Sequence, residues 1–335
     1  MSAMQNLIEE FPSQIRKAVE IGKNIRVTPH NEEIQNIFIA GLGGSGIGGN
    51  LVESIVSPAL QVPLLVGKNY EIPKFIGKNT LFIASSFSGS TEETLIALSQ
   101  VKDAKIACIS SGGKLIEIAQ AKGFDYVQIP CEAPCPRAFL GYSFVQILYL
   151  LKGYGLLNYD FEADLLASAE LLESKQVQIR QQAQSIAELC FAKIPFIYSD
   201  TRLQAVITRF QQQINENAKQ LCHTHIFPEM NHNELVGWQL GKEHYQHTSV
   251  LLVKSSYDHP RTRLRMDICE PIFREKTSRL QVLQAQGTSF LEQALYLIHI
   301  FDWASLFLAE KNGVDAFPVD IITHLKNELA KEAWE

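Results

Sequence analysis

Short apolar runs rich in β-branched residues alternate with longer runs of helical period from residue 34 onward. This alternation is typical of parallel strands joined by crossover helices, so it predicts an α/β fold. In the first half we expect strands at residues 36–42, 62–66, 80–85, 106–110 and 126–130. Helices are expected over the segment GNLVESIV, at residues 92–101 and 114–121, and after Arg137.

The second half repeats the same rhythm of strand, loop and helix. Its predicted strands are residues 195–198, 223–227, 250–254 and 280–283, and its predicted helices are residues 203–220, 260–275 and 289–309. Between the halves, residues 160–191 contain neither glycine nor proline and predict one long linking helix. We therefore predict two domains, residues 1–155 and residues 156–335, whose shared rhythm indicates duplication.

Composition and charge narrow the class of protein. The chain has 335 residues, of which 46% are hydrophobic, and this is enough for two cores. Its net charge of −6 gives no overall positive field, so neither nucleic acid nor an anionic membrane is expected as a partner. The N-terminal residues lack the features of a secretory signal, and no apolar stretch reaches about 18 residues. We expect a cytoplasmic protein whose six cysteines are reduced.

The glycine-rich segment GLGGSGIGG, residues 41–49, lies between a predicted strand and a predicted helix. Gly41, Gly43 and Gly46 have the G-x-G-x-x-G spacing of dinucleotide-binding loops. The acidic residue that would bind a ribose about 20 residues later is missing, because Lys68 follows the next strand. No lysine follows the glycines as in a Walker A loop. Neither a nicotinamide cofactor nor hydrolysis of a nucleoside triphosphate is expected.

A second loop, SSFSGSTEET at residues 85–94, follows another apolar strand. It places five hydroxyl side chains within seven residues at a helix start, and Ser45 adds another from the glycine-rich segment. Hydroxyls and free backbone N–H groups at the positive end of a helix suit a tetrahedral dianion. The alternative is that these residues only cap the helix, for which one hydroxyl is enough. The number of hydroxyls favours a phosphate site.

Four further segments, together with these two loops, carry a family resemblance: APCPRAFLGY, NENAK, PEMNHNELVGW and THLKNEL. In this order they resemble the bifunctional phosphoglucose/phosphomannose isomerase family of the SIS (sugar isomerase) superfamily, over nearly the whole chain. The resemblance implies two tandem SIS domains, each a parallel-sheet α/β sandwich of flavodoxin-like type. It also implies a homodimer without metal or cofactor, which interconverts glucose 6-phosphate or mannose 6-phosphate with fructose 6-phosphate.

The same resemblance implies roles for individual residues. The substrate phosphate would be bound by hydroxyls of the two loops, alongside two glycines of the first loop: Ser45, Ser86, Ser88 and Thr91, with Gly44 and Gly46. Glu216 would be the base that moves a proton between C1 and C2 through a cis-enediolate. Arg137 would stabilise the developing negative charge. His232 of the partner subunit and Lys326 would assist opening of the sugar ring, for which a histidine is suited.

Alternatives remain open at some of these positions. Glu229 and Glu234 bracket His232 and are second choices for the base, and His324 or Lys331 could replace Lys326. Four residues also resemble a metal cluster: Cys222, His223, His225 and His232. No companion carboxylate or cysteine pair at ligand spacing supports zinc there, so no metal is expected.

The chain departs from the family pattern shortly before the C-terminal helix. Members active on mannose 6-phosphate have a Thr-Pro step there, whereas this chain has Phe317 and Pro318. Thr323 is nearby but is not an obvious match, so the departure bears on the mannose 6-phosphate activity. The two alternative functions are a non-catalytic sugar-phosphate regulator and an amino-sugar phosphate isomerase, because many SIS proteins share the first two loops.

Overall fold

The computed structural model describes residues 2–332 of the chain. Its first half starts with two helices and continues as an alternation of strands and helices. The elements are α1 (Ala3–Glu9), α2 (Phe11–Lys23), β1 (Asn36–Ala40), α3 (Gly43–Val56), β2 (Leu64–Gly67), β3 (Thr80–Ser85), α4 (Glu92–Ser99), β4 (Lys105–Ser110), α5 (Gly113–Lys122), β5 (Asp125–Gln128) and α6 (Leu140–Gly153).

The strands of this half form one parallel sheet in the order β2-β1-β3-β4-β5. All residues of the central strand β3 are buried, which explains its apolar sequence TLFIAS, because a parallel sheet is covered on both faces. The strand order reverses between β1 and β3. Open α/β sheets usually bind ligands at such a reversal, outside the carboxyl ends of the strands.

The second half has the same construction. Its elements are α7 (Phe161–Ser174), α8 (Gln176–Cys190), β6 (Ile194–Asp200), α9 (Gln204–Ala218), β7 (His223–Phe227), β8 (Thr248–Lys254), α10 (Pro260–Lys276), β9 (Leu280–Gln284), α11 (Phe290–Asn312) and α12 (Asp320–Leu329). The strands again form a parallel sheet, in the order β7-β6-β8-β9. None of the helices in residues 2–332 is both long enough and apolar enough to cross a bilayer.

One continuous apolar core joins the two sheets. It includes Ile39 and Leu81 from the first sheet and Ile197 and Leu251 from the second. Helix α11, which is buried almost all round, packs against α7, α8 and α9 within this core. Smaller clusters cover the opposite faces of the two sheets. The predicted division after residue 155 stays a prediction.

The predicted α/β class is confirmed, and each predicted strand lies within three residues of its observed bounds. The prediction of one helix over residues 160–191 is wrong, because α7 ends at Ser174 and α8 begins at Gln176. Lys175 between them has φ −101° and ψ 9°, outside regular helix geometry. The break lets each helix turn its own apolar side to the core, Leu165 and Leu172 in α7 and Ile179 and Ile186 in α8. Helices α1 and α2 were not predicted.

Candidate active site

The glycine-rich loop after β1 and the hydroxyl loop after β3 lie side by side, because the two strands are direct neighbours. Ser45 joins the loops, since its Oγ accepts a hydrogen bond of 3.2 Å from the backbone N–H of Phe87. A Cβ on Gly46 would lie 2.4 Å from the carbonyl oxygen of Gly41, so only glycine fits there. The two predicted phosphate loops therefore form one structural unit.

Ser86 organises the hydroxyl loop from inside. Its buried Oγ lies 2.7 Å from the Oγ1 of Thr91 and accepts a hydrogen bond of 3.1 Å from the N–H of Gly89. Gly89 has φ +69°, and a Cβ there would collide with the carbonyl oxygen of Gly112. Ser88 is exposed and accepts a hydrogen bond from the N–H of Ser90. The loop is thus held in shape by its own hydroxyl groups.

The hydroxyls do not cap the helices that follow. Leu42 occupies the N-cap of α3, and Thr91, at the N-cap of α4, makes no side-chain capping bond. The first N–H groups of both helices therefore have no side-chain cap, and both helices begin at the carboxyl edge of the sheet. Free N–H groups at a helix N-terminus attract anions. This geometry favours the phosphate site over the capping alternative.

Arg137 connects the phosphate loops to the second half of the chain. It lies in a short 3₁₀ turn, Pro136–Phe139, and its Cα is 3.7 Å from the position of a Cβ on Gly44. Its buried side chain donates from Nε to Oδ1 of Asn217 at 2.8 Å. Nη2 donates to the carbonyl oxygens of Ala316 and Phe317 at 2.7 and 2.9 Å. The guanidinium is therefore fixed in place beside the glycine loop.

Glu216 lies next to this guanidinium. Its Oε2 is 3.6 Å from Nη1 of Arg137, and its side chain keeps 28% of its surface exposed. The two residues predicted to carry the chemistry, 79 positions apart in the sequence, are thus brought together by the fold. Because a fixed cation offsets its charge, this carboxylate can lie close to an anionic substrate. Because it is also accessible, it can transfer a proton.

A buried network of polar side chains on α9 and α11 contacts Arg137. Arg209, Gln213 and Asn217 are spaced by four residues on one face of α9. Arg209 and Gln213 both contact the carboxylate of Asp302, and Arg209 also donates to the carbonyl oxygen of Arg137 at 3.1 Å. Asn217 donates to the Oγ of Ser305 at 2.9 Å. Sequence reasoning missed these residues, although a polar stripe inside an amphipathic helix was a visible signal.

Lys219 closes α9 beside Glu216. It ends the helix in the left-handed conformation, and its Nζ donates to the carbonyl oxygens of Glu216 and Pro318 at 2.6 and 2.8 Å. Burial, aided by the charge of Arg137, lowers the pKa of Lys219. A cavity of about 420 Å³ lies here between the end of α9 and the start of α12, and it is lined by Glu216, Lys219 and Ile322 among others.

The comparisons with known proteins agree with this geometry. A family model described as the Bacterial phospho-glucose isomerase C-terminal SIS domain matches residues 179–329. The chain is 37% identical to the bifunctional phosphoglucose/phosphomannose isomerase of Caldicellulosiruptor bescii, over 97% of this chain and 98% of the relative. The protein of the same name from Aquifex aeolicus is 34% identical, over 99% of this chain and 100% of the relative. This chain belongs to the bifunctional phosphoglucose/phosphomannose isomerase family.

Solved structures of more distant proteins share this fold. The structure of tagatose-6-phosphate ketose/aldose isomerase from Escherichia coli matches with a TM-score of 0.66 and 14% identity, over 95% of this chain and 96% of that one. At such low identity the likeness shows the fold alone. The predictions of the family, of the SIS fold and of an isomerase are confirmed.

His232 is one of the predicted catalytic residues of this phosphoglucose/phosphomannose isomerase family member. Within one chain it lies far from Glu216. Glu216 precedes the amino end of β7, whereas His232 follows its carboxyl end in a short 3₁₀ turn. The five residues of β7 separate these ends by about 13 Å. His232 is exposed and makes no side-chain hydrogen bond to any of residues 2–332. Within residues 2–332, no hydrogen bond or ion pair joins His232 to Arg137 or Glu216.

Glu229 and Glu234, the second choices for the base, are hydrogen-bonded to other residues. Glu234 accepts a hydrogen bond from the hydroxyl of Tyr198 and lies 2.9 Å from Nε2 of His223. Burial alone would raise the pKa of the Glu234 carboxyl, but these hydrogen bonds outweigh burial and lower that pKa. Glu229 accepts a hydrogen bond from Asn233. Neither carboxylate contacts Arg137. In residues 2–332, no three histidine, cysteine or acidic side chains form a metal-binding group.

Lys326, the fourth predicted catalytic residue, lies on the C-terminal helix α12, outside the network around Arg137. Lys326 is exposed and makes no side-chain hydrogen bond or ion pair with the described part of the chain, whereas His324 and Lys331 both approach Glu328. At the departure from the family pattern, the carbonyl oxygen of Phe317 accepts a hydrogen bond from Arg137. Thr323 bonds back to the carbonyl of Val319 within the helix. The assignments of the individual site residues stay predictions.

Proposed function

We propose that this chain interconverts glucose 6-phosphate, and also mannose 6-phosphate, with fructose 6-phosphate by proton transfer between C1 and C2. The contact between Arg137 and Glu216 supports this most directly, because it brings a fixed cation and an accessible carboxylate to the phosphate loops. An aldose–ketose isomerase needs these three elements: an anchor for the phosphate, a base, and a cation for the enediolate.

The phosphate group binds between the loops after β1 and β3. Ser45, Ser86, Ser88 and Thr91 donate hydroxyl hydrogen bonds, and the N-termini of α3 and α4 supply backbone N–H groups. Gly44 and Gly46 allow the backbone of the first loop to approach the phosphate closely. Because hydrogen bonds to charged oxygens are worth about 1.5 to 3 kcal/mol each, this anchor needs no lysine or arginine.

Glu216 removes the proton from C2 of the open aldose and returns it to C1 of the enediolate. Arg137 stabilises the negative charge that develops on the two oxygens, and it does so without reorganising because Asn217, Ala316 and Phe317 already hold it. His232 and Lys326 move protons between the ring oxygen and the anomeric hydroxyl, which opens the sugar before isomerisation.

A homodimer completes the site. His232 and Glu216 lie at opposite ends of β7, so the histidine that serves one Glu216 comes from the partner subunit. Helix α12 supports the same proposal, because several of its apolar side chains are exposed: Ile321, Leu325 and Leu329. We assign a second copy of this chain as the partner that covers them. Exposed apolar patches of this kind commonly mark contact surfaces.

The direct test is turnover of fructose 6-phosphate by the purified protein, with the two aldose 6-phosphates resolved by proton NMR. Glucose 6-phosphate is the expected main product, and mannose 6-phosphate is expected as a second one. The absence of any aldose, from a folded protein of the expected size, would refute the proposal. A parallel incubation with glucosamine 6-phosphate separates the amino-sugar alternative, for which no product is expected.

A further inference from the structure

A second cavity lies between the two halves of the chain, and neither Arg137 nor Glu216 lines it. It has a volume of about 560 Å³, within the range of small-molecule sites, and one face of α3 forms its wall. Lys68, directly after β2, and Arg202, two residues after β6, both line it. It therefore lies at carboxyl ends of strands from both sheets, where α/β proteins bind ligands.

The side chain of Lys68 forms no ion pair within residues 2–332. Its side chain makes no hydrogen bond, and no carboxylate lies within 4.0 Å of it, among residues 2–332. Lys68 is an exposed residue at the edge of the cavity, and partial desolvation there lowers the pKa of its ammonium group, with the charge of Glu53 opposing the effect. Lys68 therefore presents three uncommitted N–H donors to the cavity.

Arg202 is held in place without using its donors. Its guanidinium carbon lies 4.0 Å from the ring centre of Phe290 and 5.6 Å from that of Tyr257. The side chain makes no hydrogen bond or ion pair with any residue from 2 to 332. Stacking on aromatic rings orients a guanidinium and leaves its N–H groups free. Two cations with free donors thus face one cavity in a chain of net charge −6.

The same cavity also contains a hydrogen-bond acceptor. The carboxylate of Glu53 lines it and accepts one hydrogen bond, at 3.2 Å, from the side-chain amide of Asn50. A purely anionic ligand would be repelled by this carboxylate, whereas hydroxyl groups would donate to it. Fixed cations at one part of a cavity and a carboxylate at another match a ligand that has both an anionic group and hydroxyls.

We infer that this cavity is a second ligand site that binds a polyhydroxylated phosphate monoester, with the phosphoryl group on Lys68 and Arg202 and hydroxyls on Glu53. Helix α3 contributes to both sites, because its first turn belongs to the glycine loop and its later turns line this cavity. The two sites are adjacent, because Cε of Lys68 lies 3.2 Å from the position of a Cβ on Gly46 in the glycine loop. Neither Arg137 nor Glu216 lines this cavity, so its existence does not depend on the proposed reaction.

Isothermal titration calorimetry on the intact protein tests this inference. Sorbitol 6-phosphate is a suitable probe because it has no carbonyl group and is not turned over. We expect two molecules bound per wild-type chain and one per chain in the Lys68→Met/Arg202→Met variant. A Ser86→Ala/Thr91→Ala variant should lose the other molecule and retain the one at Lys68. Lys78→Met, at an exposed lysine, is the control and should keep both.

Several results would contradict this inference. One molecule bound per wild-type chain, or two per chain in the Lys68→Met/Arg202→Met variant, would overturn the second site. Folding of this variant is checked by its melting temperature, which should stay close to that of the wild type because neither side chain makes a hydrogen bond or ion pair with residues 2–332. Inorganic phosphate should bind the second site at least fivefold more weakly than sorbitol 6-phosphate. Equal binding of the two probes would overturn the assignment of hydroxyls to Glu53.

Discussion

At the scale of single residues, the side-chain amide of Asn217 helps to position the guanidinium of Arg137. Asn217 accepts from Nε of Arg137 and donates to Ser305, so it connects the site to the core through α11. The carboxylate of Glu216 is adjacent in sequence but points to the accessible side. Asn217 is therefore a positioning residue, and its effect should appear in the chemical step rather than in phosphate binding.

Asn217→Ala should lower kcat by about 10²-fold and change KM by less than about threefold, because small displacements of a catalytic group cost this much. The measurement is steady-state kinetics with fructose 6-phosphate. The matched control is Asn215→Ala, which changes an exposed amide on the same turn of α9 and should retain activity. If Asn217→Ala raised KM with kcat unchanged, the positioning role would be wrong.

The buried side chain of His299 predicts how the stability of the fold depends on pH. It is fully buried in α11, stacks on Phe11, and accepts a hydrogen bond from Trp303, while its Nδ1 has no partner in residues 2–332. Burial, aided by the charges of Arg180 and Arg209, lowers its pKa to about 3. The unfolded chain takes up this proton near pH 6.5, so below that pH the unfolded state binds more protons and the folded state loses stability.

Between pH 7 and pH 5, His299 should therefore reduce the free energy of unfolding by about 2 kcal/mol. The loss is absent above pH 7 and grows as the pH falls toward 3. His299→Leu should remove this part of the pH dependence, measured by urea unfolding at both pH values. An identical pH dependence in the variant and the wild type would show that His299 does not stay neutral in the fold.

Sequence patterns located some residues of the site but not others. Arg137 and Glu216 were predicted through the motifs that contain them, and the structure brings them within 3.6 Å. Asn217 lies in the same NENAK segment but was not singled out, because its importance depends on partners 80 residues earlier and 88 residues later. A sequence pattern shows that a position is polar, whereas packing decides what it contacts.

At the scale of elements, α9 and α11 are joined by a buried ion pair. Arg209 and Asp302 are both at least 95% buried, and two guanidinium nitrogens contact the carboxylate. Gln213 donates to the same carboxylate at 2.8 Å. Removing one partner would leave the other charge buried without compensation, so the helix pair depends on both.

Asp302→Ala should reduce the free energy of unfolding by about 3 to 5 kcal/mol, as expected for breaking a buried pair. The double variant Arg209→Met/Asp302→Leu should be more stable than Asp302→Ala, because it leaves no unpaired charge. Thermal unfolding of the three proteins makes the comparison. A double variant less stable than Asp302→Ala would contradict this explanation of the pair.

Elements were easier to predict than the breaks between them. Apolar runs identified every strand, since buried parallel strands require them. The break at Lys175 was missed, because no glycine or proline marks it and the reason for it lies in how α7 and α8 each face the core. Helix α2 has a clear period of apolar residues, but it lies before the first strand and outside the α/β rhythm.

At the scale of the whole molecule, the proposed site needs two chains. A mixture of Glu216→Gln and His232→Ala chains, unfolded together and refolded, tests this. In a mixed dimer with histidine exchange, one site receives both defects and the other receives none. About a quarter of wild-type activity should therefore return in a 1:1 random mixture, although each variant alone is inactive. No recovery, from a mixture shown to contain mixed dimers, would place His232 in the same site as Glu216 of its own chain.

The most direct test of the whole account is solvent exchange during turnover. Fructose 6-phosphate is incubated with the protein in D₂O, and deuterium at C2 of the glucose 6-phosphate formed is measured by proton NMR. The wild type and Glu229→Gln should both incorporate deuterium, while Glu216→Gln should incorporate it at least about 10²-fold more slowly. Deuterated glucose 6-phosphate formed at an unchanged rate by Glu216→Gln would contradict proton transfer by Glu216 through an enediolate.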